Sequence, residues 1–162
     1  SVMRKAYQVI GWIICALVVV QAAAVAYGVF GESKFIDDGG AVDKALIEAA
    51  QQGGAPPFPE VVGYMIHGMN GMMLLPLVAL VFFGVSFGAK FAGARMWAGI
   101  VLVLIIIQVM LGMAGHGMPV LGLLHGMNAL LIFGSAMYAA RLAAMPTAPA
   151  PVTHPEAQTH SV

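Results

Sequence analysis

Four apolar stretches, each long enough to cross a lipid bilayer, set the main constraint on how this chain can fold. A transmembrane helix needs about 20 predominantly apolar residues, at a rise of about 1.5 Å per residue. The stretches predict helices over Tyr7–Phe30, Pro59–Phe87, Met96–Met113 and Pro119–Ala143. Hydrophobic residues make up 60% of the chain and charged residues only 9%, whereas a soluble domain averages roughly 25% charged residues. We therefore expect an all-α integral membrane protein.

The first stretch has an alternative interpretation as a secretory signal peptide. Arg4 and Lys5 precede it, and the segment AAAVAYG near its end offers small residues for cleavage. Its apolar run, however, exceeds the ~7–15 residues of a signal core. We therefore predict that this stretch is a retained helix.

The distribution of Lys and Arg predicts which side of the membrane each loop occupies. Cytoplasmic segments of membrane proteins carry an excess of these residues. Five of the seven precede the first helix, separate the second from the third, or end the fourth: Arg4, Lys5, Lys90, Arg95 and Arg141. We expect a multi-pass protein of the inner (plasma) membrane with both termini in the cytoplasm.

The segments outside the helices divide into a long external loop and a tail. Residues 1–144 are predicted to form the bundle, with 31–58 as the external loop and a short helix within AVDKALIEAAQQ. Residues 145–162 are rich in Pro, Ala and Thr, a composition typical of disorder. The histidines of this tail are interpreted as solvated bystanders: His154 and His160. The formal net charge is zero, which gives no reason to expect nucleic acid, and the single Cys15 excludes a disulfide within the chain.

The tetrapeptide HGMN occurs twice, at residues 67–70 and 125–128. An approximate correspondence also relates the first and third predicted helices, and it pairs Trp12 with Trp97 and Gln21 with Gln108. Two hairpins of the same topology imply a pseudo-twofold axis along the membrane normal. We predict an up-down-up-down four-helix bundle in which the second and fourth helices lie diagonally.

Both repeated histidines fall at one depth in this bundle. His67 and His125 lie about 9–12 Å below the outer ends of their helices, and Gln21 and Gln108 fall near the same level. Ionisable side chains inside a membrane are expensive and mostly functional. A pair of histidines facing each other across the axis therefore favours a shared metal or a flat cofactor, and hydrogen-bonding structural roles are the alternative.

Small and amide residues share the predicted helical faces of the two histidines. They are Gly63, Gly71, Gly122 and Ala129, with Asn70 and Asn128. Such flat faces suit a macrocycle beside the imidazole, although small residues also permit close packing of membrane helices. The Asn and Gln side chains either support the cofactor site or join helices, and His116 is either a contact for a cofactor carboxylate or an ordinary surface residue.

Copper is an alternative metal, since the chain contains 12 methionines and thioethers suit Cu(I). On a regular helical wheel, however, the methionines near His67 point away from it: Met65, Met69, Met72 and Met73. A weak copper candidate remains at Met113, His116 and Met118.

The segment IIIQVMLGMAGHGMPVLGLLHGMNALLIF resembles the third and fourth helices of one half of a heme A synthase. Gln108, Leu111 and Gly112 match the Gln-x-x-Leu-Gly pattern of that family, and Leu124 with His125 matches the following Leu-His. MIHGMNG around His67 resembles the equivalent segment of the second helix. The resemblance implies that His67 and His125 bind one heme within a four-helix bundle.

The chain also departs from that family. Heme A synthases have two fused halves, and this chain resembles only one of them. Met69 stands where the catalytic half has Arg, which argues against heme hydroxylation. We therefore expect an electron-transfer or accessory subunit rather than a stand-alone catalyst.

The function predicted from the sequence is that of a membrane-bound b-type cytochrome. One heme b with two axial histidines would lie near the outer leaflet and leave no coordination position open. Candidate partners are a quinone, another cytochrome or a larger respiratory complex. The alternatives are a non-redox heme carrier, assembly factor or sensor, and a copper-binding or structural membrane subunit.

Overall fold

A computed structural model describes residues 1–146, and these residues form an entirely helical fold. The helices are α1 (Val2–Asp37), α2 (Lys44–Gln51), α3 (Val61–Ser86), α4 (Ala94–Gly115) and α5 (Pro119–Ala144). All but α2 are apolar and long enough to span a membrane, which confirms the expectation of a helical protein in contact with lipid. Residues 147–162, including His154 and His160, lie outside the described residues, so the prediction of a disordered tail stays a prediction for them.

Helix α1 is longer than the predicted Tyr7–Phe30. Its first turn is capped by the Ser1 hydroxyl, which accepts from the Arg4 amide at 3.3 Å. Its last turn carries an ion pair between Lys34 and Asp38 at 2.7 Å. The 36 residues of α1 extend over about 54 Å, well beyond the ~30 Å hydrocarbon core of a bilayer. An apolar stretch predicts only the part of a helix that lipid covers, so the prediction did not include the polar ends of α1.

Helix α3 changes its winding near the middle. Residues Asn70–Leu74 form a π-helical turn, in which the amide of Leu75 donates to the carbonyl of Asn70. Pro76 lies two residues after this turn. It has no N–H, and in a regular helix its ring would clash with the carbonyl four residues earlier. A wider turn relieves that clash, because π-helical turns use i→i+5 hydrogen bonds. The sequence prediction treated this helix as regular, and that assumption was wrong.

The short helix expected in the long connection is present as α2. Asp43 precedes it in an extended conformation, and its carboxylate accepts from the Leu46 amide at 2.8 Å. This is the usual role of an N-cap residue.

All four long helices pack closely at the end of the bundle that carries Ser1, which we call the terminal end. The Tyr7 hydroxyl, at the start of α1, donates to the carbonyl of Ala94 at 2.9 Å. The Tyr7 ring lies 4.3 Å from that of Phe82 near the end of α3. A Cβ added to Gly11 would lie only 2.9 Å from the Cβ of Ala140 on α5. Small residues therefore bring the helices into a continuous buried core at this end.

At the opposite end, which we call the loop end, the first segment of α3 is separated from α4 and α5. This segment, Val61–Met69, packs against α1, while α5 packs against both α4 and α1. Among the described residues this segment makes no substantial contact with α4 or α5. The second segment, Leu75–Ser86, contacts both α1 and α4. All four long helices thus pack together at the terminal end, and a cleft separates α3 from α4 and α5 at the loop end.

Candidate functional site

A cavity of about 400 Å³ lies in this cleft and is lined by residues of all four long helices. Buried apolar side chains contribute to its lining where the helices converge, namely Leu75, Ile105 and Ile132. Several residues predicted to form a site also line it: His67, His125, Gln21, Gln108, Gly71, Ala129 and His116. The structure thus places these seven residues in the wall of one cavity.

The two repeated histidines face each other across this cavity. Their ring centroids are 6.1 Å apart, and the ring planes are inclined at 58°. His67 comes from α3 and His125 from α5, two helices without substantial mutual contact among the described residues. The distance between the rings is too long for a hydrogen bond between them and leaves room for an atom between the imidazoles.

Each imidazole is held by a backbone carbonyl of the neighbouring helix. Nδ1 of His67 lies 3.1 Å from the carbonyl oxygen of Gln21, and Nδ1 of His125 lies 2.9 Å from that of Gln108. A carbonyl oxygen only accepts hydrogen bonds, so each Nδ1 carries the proton and donates. In the neutral imidazole the other nitrogen, Nε2, then has the lone pair, and this is the form of histidine that binds metals in proteins.

The two asparagines of the HGMN segments join helices rather than line the cavity. Both are buried. The Asn70 amide donates to the carbonyl of Leu17 at 3.2 Å, and the Asn128 amide donates to that of Leu104 at 2.9 Å. Asn128 also donates to Oε1 of Gln108, at 2.7 Å. The sequence left two roles open for these residues, support of a cofactor site or hydrogen bonds between helices. The contacts observed are hydrogen bonds between helices.

Gly63 and Gly122 lie outside the cavity wall. A Cβ on Gly63 would overlap the carbonyl oxygen of Ala24 and lie 2.8 Å from the Gly28 amide. Gly63 therefore permits the close approach of α3 to α1. Gly122 stands near Gly115, whose added Cβ would lie 3.2 Å from the Gly122 amide nitrogen. For Gly63 the role is helix packing, which was the alternative interpretation of the small residues, whereas a Cβ added to Gly122 itself would meet no heavy atom within 4 Å.

Three glycines of the cavity wall were missed as site residues. Gly68 and Gly126 follow the histidines directly, and a Cβ added to either would meet no heavy atom within 4 Å. A Cβ on Gly112 would lie 3.0 Å from Cε1 of His125 and 3.1 Å from its Nδ1. Gly112 thus leaves room for the His125 ring. The repeated His-Gly pair and the Gln-x-x-Leu-Gly match were the signals that could have found them.

The methionines near His67 divide into two groups. Met65 and Met69 are 59% and 64% exposed and do not line the cavity, as the helical wheel indicated. Met72 does border the cavity, which corrects the prediction that it points away. The wheel assumed 100° per residue, whereas the π-helical turn rotates less per residue. Met72 therefore lies closer to the helical face of His67 than a regular helix would place it.

His116 lies at the mouth of the cavity, just beyond the end of α4. It is exposed, and its Nδ1 lies 3.0 Å from the carbonyl oxygen of Gly112 one turn earlier. Its position suits contact with the edge of a bound group rather than with its centre.

Within residues 1–146, no group of three or more His, Cys, Asp or Glu side chains could hold a metal ion. A metal between His67 and His125 would therefore need its remaining donors from elsewhere.

Comparison of the chain with known protein families, with characterised proteins and with solved structures finds no match to any of them. The function is therefore inferred from the geometry of the cavity and from the residues that line it.

Proposed function

We propose that this protein is a membrane-bound cytochrome of the b type, in which His67 and His125 are the two axial ligands of one heme. The single observation that carries this proposal is the placement of two imidazoles, with ring centroids 6.1 Å apart, across a cavity. Two metal–nitrogen bonds of about 2.0 Å on opposite sides of one metal, extended to the ring centres, span about 6 Å. The observed separation therefore agrees with two imidazoles that share one metal.

The protein residues fit a porphyrin better than a bare ion. A porphyrin brings its own in-plane nitrogens and needs only axial ligands from the protein. The cavity of about 400 Å³ is within the ~300–1,000 Å³ typical of ligand sites. Gly68, Gly71, Gly126 and Ala129 keep its walls flat beside the histidines. These features support the resemblance to a heme-binding half of a heme A synthase.

The bundle itself is proposed to run up-down-up-down, with its two hairpins related by a pseudo-twofold axis. The support comes from corresponding hydrogen bonds. In each half, the His binds the carbonyl of a Gln, and the Asn three residues later binds the carbonyl four residues before that Gln. The same offsets in both halves are what a rotation of one hairpin onto the other requires.

A heme held in this way would supply reversible one-electron chemistry. The protein's part would be to fix both imidazoles through Gln21 and Gln108, occupy both axial positions, and surround the group with apolar side chains that limit access of water. Because both histidines would bind the group, electron transfer would be favoured over oxygen chemistry. A quinone, another cytochrome or a larger respiratory complex is the proposed class of partner.

The cleft favours a second candidate, a non-redox heme carrier. Val61–Met69 makes no substantial contact with α4 among the described residues, and cavity-lining residues such as Met72 and Met113 are exposed. A cleft open along one side suits exchange of its ligand. Transfer of heme to an apo-acceptor protein within minutes would favour the carrier, and retention over hours would favour the cytochrome.

The visible absorption spectrum of the purified protein, oxidised and then reduced with dithionite, tests the proposal. We expect sharp α and β bands on reduction, at about one heme per chain. Their absence from protein that is purified from heme-replete cells, and that still takes up no added hemin, would contradict both heme functions.

We further propose that the protein lies in the plasma membrane with both termini in the cytoplasm, which would place the cavity toward the outer leaflet. The support is the placement of Arg4, Lys5 and Arg141 near the terminal end. Phosphatase fused at Gly39 should be active and phosphatase fused after Met145 should be inactive. The reverse result would invert the orientation.

A further inference from the structure

Two buried amide oxygens near His67 have no hydrogen-bond partner within the described residues. They are Oε1 of Gln21 and Oδ1 of Asn70. The Asn70 side chain is deeply enclosed, with only 7% of its residue surface exposed. Buried polar atoms of native proteins are nearly always paired with protein or with an ordered water, because an unpaired acceptor has lost its hydration without compensation.

The second half of the bundle gives the matching arrangement without this defect. There the Asn128 amide donates both to the carbonyl of Leu104 and to Oε1 of Gln108. In the first half the Asn70 amide reaches only the carbonyl of Leu17. The difference coincides with the π-helical turn, which begins at Asn70 and has no counterpart in α5.

The orientation of the two amides limits what can fill this site. Rotation of the Asn70 amide by 180° would turn its oxygen toward the Leu17 carbonyl, so its present orientation is fixed by that contact. The Gln21 amide nitrogen is directed at Gly71, where an added Cβ would overlap it. Asn70 and Gly71 are adjacent in α3, and Leu17 and Gln21 are one turn apart in α1, so both amides lie at the contact between α1 and the π-helical turn, and each presents an unpaired acceptor.

We propose that one water molecule is bound between Gln21 and Asn70. Water carries two O–H donors, which match the two unpaired oxygens. Buried waters typically bind to such otherwise unpaired polar groups. The site would make the two histidines inequivalent, because the helix contact beside His67 is hydrated and the corresponding contact beside His125 is dry. The inference rests on contacts between helices and does not require the proposed heme.

Nuclear magnetic resonance of the ¹⁵N-labelled protein in nanodiscs, reduced with dithionite, tests the proposal directly. We expect a water cross-relaxation peak at the side-chain amide of Gln21 and none at that of Gln108, the internal control. The Gln21→Met variant identifies the Gln21 resonance by its loss. A missing peak at Gln21, or a direct Gln21–Asn70 amide contact in its place, would overturn the proposal.

Thermal unfolding provides a second test, in which the sign of the shift is the readout. If Oε1 of Gln21 accepts from water, Gln21→Met should lower the Tm by about 2–4 °C, as Gln108→Met should for its bond to Asn128. If that oxygen is unpaired, its removal should leave the Tm unchanged or raise it, and this result would also overturn the proposal. Both measurements apply to protein with or without heme, so a failed heme proposal and a failed water proposal are distinguishable.

Discussion

The two copies of HGMN share a sequence but differ in the helix that follows them. Both histidines and both asparagines bind backbone carbonyls of a neighbouring helix at corresponding positions. After Asn128 the chain continues as a regular α-helix, whereas Asn70 begins a π-helical turn ahead of Pro76. The hydrogen bonds to backbone carbonyls are therefore the same in both copies, despite the π-helical turn in the first. The side-chain hydrogen bond between Asn128 and Gln108 has no equivalent between Asn70 and Gln21.

The largest effect expected from this comparison concerns the histidines, where the two copies should behave alike. If His67 and His125 bind one iron, replacing either by Ala removes one of two axial ligands and leaves a five-coordinate, weakly held heme or none. We expect the low-spin ferric signal in electron paramagnetic resonance to disappear in both variants. Heme content should fall by about tenfold or more, since the loss of a ligand contact is worth at least the ~1.4 kcal/mol that corresponds to a factor of ten.

His116→Ala is the matched control, because His116 lines only the mouth of the same cavity. It should keep the low-spin signal and the wild-type visible bands. If His116→Ala abolishes the signal while His67→Ala preserves it, the ligand assignment is wrong and the repeated HGMN is a packing motif.

The sequence was sufficient for the parts of the fold that depend on regular spacing. Apolar length predicted four spanning helices, and equal depth predicted that His67, His125, Gln21 and Gln108 would share one region. It was insufficient where the geometry is not regular. Pro76 favours a wider turn before it, and that turn sets the position of Met72. A helical wheel with 100° per residue assumes a regular helix and so cannot predict the wider turn.

The flat faces beside the histidines were harder to interpret from sequence. A glycine that faces a ligand and a glycine that faces another helix look identical in a single chain. Only the contacts separate Gly71, which lines the cavity, from Gly63, whose added Cβ would overlap α1. The resemblance to one half of a heme A synthase stays a prediction that the proposed spectra would test.

A smaller effect is expected from filling the cavity, and here the two copies should differ. Gly71→Leu and Ala129→Leu both add volume to the wall and should lower heme content. Gly71→Leu should also destabilise the protein by about 1–3 kcal/mol, because its first added carbon overlaps the Gln21 amide. Ala129 already carries a Cβ, so the stability of its variant should change less. Heme content per chain and the Tm measure the two effects.

Gly84→Leu provides the control for added bulk on α3. Gly84 is exposed, and a Cβ there would meet no heavy atom within 4 Å. It should retain heme and stability. Full heme content in both Gly71→Leu and Ala129→Leu would show that the ligand, if any, lies elsewhere.

The smallest effect concerns the residues three positions before each histidine, where the copies diverge completely. Tyr64 donates to the Glu32 carboxylate at 2.7 Å and ties α3 to α1, whereas the corresponding Gly122 has no heavy atom within 4 Å of an added Cβ. Tyr64→Phe should therefore lower the free energy of unfolding by about 1–2 kcal/mol, since a hydrogen bond to a charged group is lost. Gly122→Ala should leave it unchanged or raise it by up to about 1 kcal/mol, because Ala is the better helix former.

Neither residue lines the cavity, so both variants should keep the wild-type spectrum. Equal stability of the two variants would show that Glu32 and Tyr64 do not hold the loop end of the α1–α3 pair together.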